Sequence, residues 1–397
     1  NMAIANQWTY KEYEVKRPDL VVFLNGMPVV VMELKSPKAD SVSIDDAYQQ
    51  IQNYKKSIES FFIYNAFCVI SDQSQTKAGT ITATIDRFME WKTVDGDYED
   101  TKFADFTTLF KGMFAKSRFL DILHNFICFS RDIKGDAKIL AAYHQYYAVK
   151  KAVESTRKAS AEGGDGKGGV FWHTQGSGKS LSMVFYAKYL QEALNSPTIV
   201  VITDRKDLDD QLFGQFSKCK DFLRQTPIQA DKRRLSEDDI RRNETIKDNK
   251  NRIIGLMDWL EGREANGIIF TTMQKFAESD EPLSERRNIV VMADEAHRSQ
   301  YGFGDKVNAQ TGKVSIGNAR KVRNALPNAT YIGFTGTPIE LDDRNTLEVF
   351  GNYIDIYDMT QAVADGATIV TGGKRYTEGV CEKGFYYELY NAQFQNL

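Results

Sequence analysis

Three groups of residues in this chain have the types and spacing to do chemistry. The first is Gly176-Ser177-Gly178-Lys179-Ser180, entered from the apolar run Val170-Phe171-Trp172 and left through a stretch of helical spacing over residues 181–190. Glycines at such a turn let successive backbone N–H groups point to one spot. The helix that follows adds the positive end of its dipole, and a lysine there reaches β- and γ-phosphates. Ser180 is then placed to ligate Mg²⁺. The G-x-x-x-x-G-K-[ST] pattern usually opens on glycine, and here His173 occupies that place. The strand before and the helix after still favour a nucleotide cradle over an ordinary strand-turn-helix.

The second group is Asp294-Glu295, at the end of the apolar run 288–293 (NIVVMA) and two residues before His297. One carboxylate can hold Mg²⁺ through its water shell while the other orients or deprotonates an attacking water. That is the partner a phosphate cradle needs, so the two groups together predict binding of ATP or a related triphosphate. Residues 330–338 (TYIGFTGTP) predict one more strand. The hydroxyls of Thr335 and Thr337 at its tip could tie nucleotide state to a strand-end movement, or could simply cap a strand-turn.

The third group is Asp19, Glu33 and Lys35. Residues 19–24 and 28–35 predict two strands joined by the hairpin signal Asn25-Gly26. Glu33 and Lys35, two apart, share a face. Register decides whether Asp19 joins them: a two-residue loop sets it opposite Met32, whereas a three-residue loop or an equivalent bulge sets it opposite Glu33. We expect the odd-length arrangement. Two carboxylates on one face can hold a divalent cation that polarises a phosphodiester and activates water, while a neighbouring lysine stabilises the developing charge. A solvated Glu-Leu-Lys at a strand end is the plain alternative. A helix over 47–54 (AYQQIQNY) follows, with Gln50 and Tyr54 one turn apart on a face that ordinary half-buried packing would also produce.

The rest of the chain must position these groups. Its 397 residues allow two or three domains, because single cores rarely grow past roughly 250–300 residues. A hydrophobic content of 42% with 26% charged residues fits a globular protein, and a net charge of -3 gives no global sign of nucleic-acid binding without excluding a local basic groove. Cys68, Cys128, Cys219 and Cys381 form no C-x-x-C pair, which argues against a disulfide framework or zinc knuckle and fits a reducing cytoplasm. No apolar run approaches ~18 residues and no signal pattern opens the chain, so membrane insertion is not expected. The four histidines are scattered too widely to predict a metal cluster. The chain starts Asn1-Met2 and stops at Leu397 without a natural cap, which suggests a piece of a longer protein.

In order, residues 61–64 and 67–70 read as sheet, 91–105 as surface loop, and 119–129 as a core helix closing the first domain. Residues 142–154 read as an aromatic-rich helix whose Gln145 could meet an adenine edge or merely occupy a polar place in packing. Residues 160–169 (SAEGGDGKGG) read as a mobile linker or loop, and 198–203 and 267–272 as buried strands. The mixed-charge run 231–252 reads as a solvated helix or insertion, with a DNA contact as the lesser alternative.

GSGKS, DEAH and FTGTP, in that order, resemble motifs I, II and III of a superfamily 2 helicase or translocase. Asp19 with Glu33-x-Lys35 and the Q-x-x-x-Y helix is similar to the RecB-type subset of PD-(D/E)xK nucleases. With RPDLVVFLNGMPVVVMELKSP in front of FWHTQGSGKSLSM, TDRKDLDDQL, DEAHRSQYG and FTGTPIE, the chain resembles the restriction (motor) subunits of type I restriction-modification enzymes over most of residues 6–370. The resemblance implies an α/β protein in three parts: a PD-(D/E)xK-type nuclease domain over 1–132, a first RecA-like parallel-sheet helicase lobe over 133–368, and 369–397 as the start of a second lobe or a disordered or spliced piece.

It implies that Asp19, Glu33 and Lys35 cut double-stranded DNA with Mg²⁺, supported by Gln50 and Tyr54. It further implies that Gly176 to Ser180, Asp294 and Glu295 bind and hydrolyse ATP, with Gln145 at the adenine and His297, Thr335 and Thr337 in support. Methyltransferase (modification) and specificity subunits would be the partners that read the target. Because the second lobe and its arginine finger are not evident before Leu397, the expectation is that this chain alone binds ATP poorly and does not translocate. A repair-type helicase-nuclease without methyltransferase partners is the competing enzyme reading, and a dead nuclease module docked on an ATP switch is the competing one from another class.

Overall fold

The computed structural model describes residues 1–36, 43–97 except 73, 106–296 except 134, 205, 247, 249, 250 and 278–280, and then 306–307, 314–315, 318–337 and 349–367. Residues 369–397 and His297 therefore lie outside the described residues. Within them, two large sheets form the frame.

The first is a six-stranded mixed sheet in the order Met2–Asn6, Leu20–Leu24, Met27–Leu34, Phe67–Ser71, Thr76–Gly79, Met89–Glu90. Only Met27–Leu34 and Phe67–Ser71 run parallel, which requires a crossover, and the helix Ile44–Ser57 supplies it. Alternation sorts the side chains. Val21 and Val31 face this helix and pack with Ile51 and Tyr54, while Val22, Val30 and Met32 face the other way.

The second is a seven-stranded sheet in the order Ile228–Gln229, Ile268–Thr272, Thr198–Thr203, Ile289–Ala293, Thr330–Thr335, Lys167–His173, Tyr353–Tyr357, with every pairing parallel. TIVVIT, IIFTT and IVVMA are nearly continuous apolar runs because helices cover both faces of such a sheet. One apolar cluster passes from Val22 and Met32 through Trp91, Phe119 and Tyr146 to Phe171, Val201 and Phe334, so the two sheets share a core. The expected boundary at 132/133 falls in the turn of an antiparallel hairpin, Ile127–Asp132 with Gly135–Leu140. No helix among the described residues is long and apolar enough to cross a membrane.

Four local expectations need correction. Residues 61–64 are not strand: Glu59–Phe62 is a 3-10 turn that buries Phe61 and Phe62 under the crossover helix. Residues 119–129 are not one helix, since Lys116–Asn125 ends there and Ile127 begins a strand. The described part of the segment 91–105, residues 91–97, is loop but not all surface, because the Trp91 ring packs against Tyr146 and Tyr147 and is 2% exposed. Within 160–169 the expected loop extends only to Gly166, where Arg323 donates to the Asp165 and Gly166 carbonyls, and Lys167 already opens the strand Lys167–His173. Each error has the same source. Local composition could not show which partner a segment would meet.

Candidate functional site: two carboxylate and lysine groups

The hairpin closes on Asn25-Gly26, both with positive φ (50° and 84°), as a two-residue loop with Leu24 opposite Met27. By itself that loop would put Asp19 opposite Met32. One extra residue, Val29, breaks the ladder between the pairs Phe23–Pro28 and Val22–Val30, so Leu20 pairs with Met32. Continuing the ladder by one step sets Asp19 opposite Glu33, on the face that carries the crossover helix. The bulge anticipated as the alternative to a longer loop is what the hairpin uses.

The side chains converge accordingly. Asp19 Oδ2 accepts from the Leu34 N–H (2.9 Å), which anchors one of its oxygens on the neighbouring strand. Lys35 Nζ lies 2.7 Å from Glu33 Oε1, and the Tyr54 hydroxyl donates to Glu33 Oε2 at 3.0 Å. Gln50 lies one turn before Tyr54 on the same helix. Glu33 is 5% exposed, and this burial pushes its carboxyl above the usual carboxylate range; the Asp19 charge adds to the rise while Lys35 and Tyr54 oppose it. A carboxylate placed where charge is disfavoured, with a second carboxylate across the ladder, has the chemistry of a site that gains by binding a cation.

The other centre lies at the tip of the parallel sheet. The cradle strand Lys167–His173 sits between Thr330–Thr335 and Tyr353–Tyr357, and the helix Lys179–Ala193 leaves the turn after it. Gly176 and Gly178 have φ of 85° and 81°, the left-handed values the turn demands. Ser180 is the second residue of the helix. The strand Ile289–Ala293 delivers Asp294 and Glu295 to the same place, and Lys179 Nζ lies 2.7 Å from Glu295 Oε1 and 3.3 Å from Asp294 Oδ1.

Burial would draw the lysine down, but the two carboxylates outweigh it and hold its ammonium above the ordinary value; burial pushes Asp294 up. Two acidic groups against one ammonium leave a net negative, largely buried spot. Glu295 also has φ 48°, an unusual backbone for a non-glycine residue. Thr335 ends the strand between the two motifs, and Thr337 lies two residues beyond it. The Thr335 hydroxyl donates to the Thr337 carbonyl (3.0 Å) and accepts from its N–H (3.2 Å), which shapes the strand tip beside the cradle.

Gln145 is placed next to the cradle, with its amide directed at the loop. Its Nε2 donates to the Gly178 carbonyl (3.1 Å) and its Oε1 accepts the Ala142 N–H (3.0 Å). His144, Asp355 and Tyr357 also meet here, and no motif had marked them. His144 bonds the Ser177 carbonyl (3.1 Å), and His173 bonds Asp355 (2.9 Å). The histidine standing where glycine is usual was the available signal.

Among the described residues no three His, Cys, Asp or Glu side chains form a metal cage. Mg²⁺ does not require one: it binds through one or two carboxylates and keeps waters and substrate phosphates for the remainder. Asp19 with Glu33, and Asp294 with the Ser180 hydroxyl, fit that habit.

Comparison with known proteins covers the stretches that carry both groups. Residues 144–395 match the SWI2/SNF2 ATPase family, and residues 1–87 match the type I restriction enzyme R protein N terminus. The endonuclease subunit of the HindI type I restriction enzyme of Haemophilus influenzae is 46% identical over 363 residues, covering 89% of this chain and 32% of that protein. A type I restriction endonuclease relative from Methanocaldococcus jannaschii is 34% identical over 397 residues, covering 92% of this chain and 34% of that protein. Among solved structures, the UvsW helicase of bacteriophage T4 is similar with a TM-score of 0.37 at 16% identity, covering 60% of this chain and 67% of that chain. The chain spans about a third of the length of the curated relatives it matches. It belongs to the SWI2/SNF2 ATPase family, and its first 87 residues are similar to the N terminus of type I restriction enzyme R proteins.

Proposed function

We propose that this chain is the nuclease and first motor lobe of a type I restriction subunit, which cuts unmodified double-stranded DNA after ATP-driven translocation. The observation that carries the reading is the presence of two separate carboxylate pairs, each with its own lysine at 2.7 Å: Asp19 and Glu33 with Lys35, and Asp294 and Glu295 with Lys179. One pair suits a phosphodiester and the other a nucleoside triphosphate.

In the nuclease centre, Asp19 and Glu33 hold the cation, Tyr54 and Gln50 orient Glu33, and Lys35 faces the charge that develops on the phosphate. When bound, Mg²⁺ supplies Lewis-acid polarisation and an activated water at each centre. In the motor centre, the Gly176 to Ser180 loop and Lys179 bind the phosphates, Ser180 and Asp294 hold the cation, and Glu295 takes the proton of the attacking water. ATP, Mg²⁺, DNA and the modification and specificity subunits follow as cofactors and partners.

The test is reconstitution of the subunit with its modification and specificity partners on an unmodified target, comparing Lys179→Ala with Glu33→Ala. The first change should abolish both ATP hydrolysis and cutting; the second should abolish cutting while ATP hydrolysis persists. Loss of ATP hydrolysis in Glu33→Ala, or cutting that survives it, would overturn the reading of two centres.

A further inference from the structure

The phosphate loop is held from behind by side chains that touch no phosphate. A trans peptide is planar, so the carbonyl of one residue points opposite to the N–H of the next. Whatever captures the Ser177 and Gly178 carbonyls therefore aims the Gly178 and Lys179 amides the other way, into the cradle. The helix Tyr143–Ser160 contributes to both from adjacent residues: His144 Nε2 bonds the Ser177 carbonyl at 3.1 Å, and Gln145 Nε2 donates at 3.1 Å to the Gly178 carbonyl, which also caps the following helix by accepting the Leu181 and Ser182 N–H groups. The Ser177 N–H and hydroxyl in turn collect the Thr174 carbonyl.

The imidazole of His144 is itself fixed. The Tyr357 ring stacks on it at 4.0 Å and 9°, and the His173 ring lies 5.6 Å away. His173 Nε2 bonds Asp355 Oδ2 at 2.9 Å, and Lys151 Nζ reaches Asp355 Oδ1 at 2.7 Å. His144, His173 and Asp355 are 1%, 0% and 4% exposed. The hydrogen bonds define the proton positions. A carbonyl and a carboxylate only accept, so each histidine carries its proton on Nε2. Nδ1 of His173 is buried without a hydrogen-bond acceptor, which disfavours a second proton there.

We propose that His144 is a positioning residue for nucleotide binding: by capturing the Ser177 carbonyl it turns the Gly178 amide toward the β-phosphate of a bound nucleotide, and the His173–Asp355–Lys151 chain holds it in place. The histidine at the usual glycine position is on this account a strut, and restoring the glycine weakens the site. The proposal rests on the reading of this loop as a nucleotide cradle.

The test uses the 397-residue chain and Mg-ADP binding by calorimetry, with thermal unfolding as a parallel measurement. His144→Phe keeps the stacking and removes the hydrogen bond; it should weaken Mg-ADP by about tenfold or more while the folded form persists. His144→Gln, which keeps a donor, should recover most of that loss. His173→Gly should weaken binding, and His173→Gln, whose amide can still reach Asp355, should recover it. Lys179→Ala is the control for the cradle. If Lys179→Ala loses Mg-ADP and His144→Phe binds like the native chain, the strut is refuted and the cradle stands; if Lys179→Ala binds like the native chain, the cradle reading itself fails. Should a histidine variant not fold, long-range proton–nitrogen NMR of the histidine-labelled native chain decides. Nε2–H tautomers at both positions, with the His144 signals moving on addition of Mg-ADP, support the proposal. An Nδ1–H tautomer, an imidazolium, or unmoved His144 signals overturn it.

Discussion

A Cβ placed on Gly178 would lie 2.7 Å from Nε2 of Gln145, the nitrogen that donates to the Gly178 carbonyl. The glycine thus has two reasons to be there: its φ of 81°, and the closeness of the amide that holds it. Gly178→Ala should strain the backbone by about 1 kcal/mol and displace Gln145, with nucleotide affinity falling about tenfold. Mg-ADP titration of the folded variant checks this, and native affinity would show that the Gln145 contact is incidental.

Tyr54→Phe removes the hydroxyl that bonds Glu33 at 3.0 Å and leaves the packed ring in place. A hydrogen bond to a carboxylate contributes roughly 1.5–3 kcal/mol, so DNA cleavage in the assembled enzyme should fall about tenfold or more while ATP hydrolysis is untouched. A variant that cuts at the native rate would assign Tyr54 to the core alone.

Glu295→Gln should retain Mg-ATP and release phosphate at least about a hundredfold more slowly, because the remaining amide cannot accept the water's proton. Lys179→Met should act differently. It leaves Asp294 and Glu295 largely buried without their ammonium, and chemical unfolding at neutral pH should report a loss of roughly 3 kcal/mol that millimolar Mg²⁺ partly restores. Equal stability with and without Mg²⁺ would argue against a cation at that pair.

His144 is buried, and desolvation lowers its pKa from 6.5 to about 4. A histidine depressed in the folded state favours folding above its unfolded pKa, and the benefit shrinks as acid protonates the unfolded chain first. Stability should therefore fall between pH 6.5 and about 4, by roughly 3 kcal/mol from this residue, and level off below. His173, also lowered by burial, shifts in the same direction. His144→Gln should flatten the slope in that window; an unchanged slope would place the acid sensitivity elsewhere.

The motifs legible in the sequence were those whose residues are neighbours in the chain. GSGKS demands its glycines and its helix start within five positions, and the strand before Asp294-Glu295 advertises itself by an unbroken apolar run. Those segments take their shape from local sterics and from burial on both faces of a parallel sheet, so reading them needed no knowledge of the remainder.

Other relationships needed the folded chain. The hairpin signal Asn25-Gly26 specified a two-residue loop, and by itself that loop would have turned Asp19 from Glu33; the bulge at Val29, which the packing of Val21 and Val31 under the helix Ile44–Ser57 accommodates, brought the carboxylates to one face. His144, His173 and Asp355 stand far apart in the sequence, with no spacing that signals contact, and they meet because parallel pairing lays Tyr353–Tyr357 beside the cradle strand while the helix Tyr143–Ser160 packs over both. Residue order alone determined which candidate groups this protein carries. Tertiary structure decided which side chains aim it, because long-range register and packing, unlike a glycine turn, are settled only when distant segments compete for the same core.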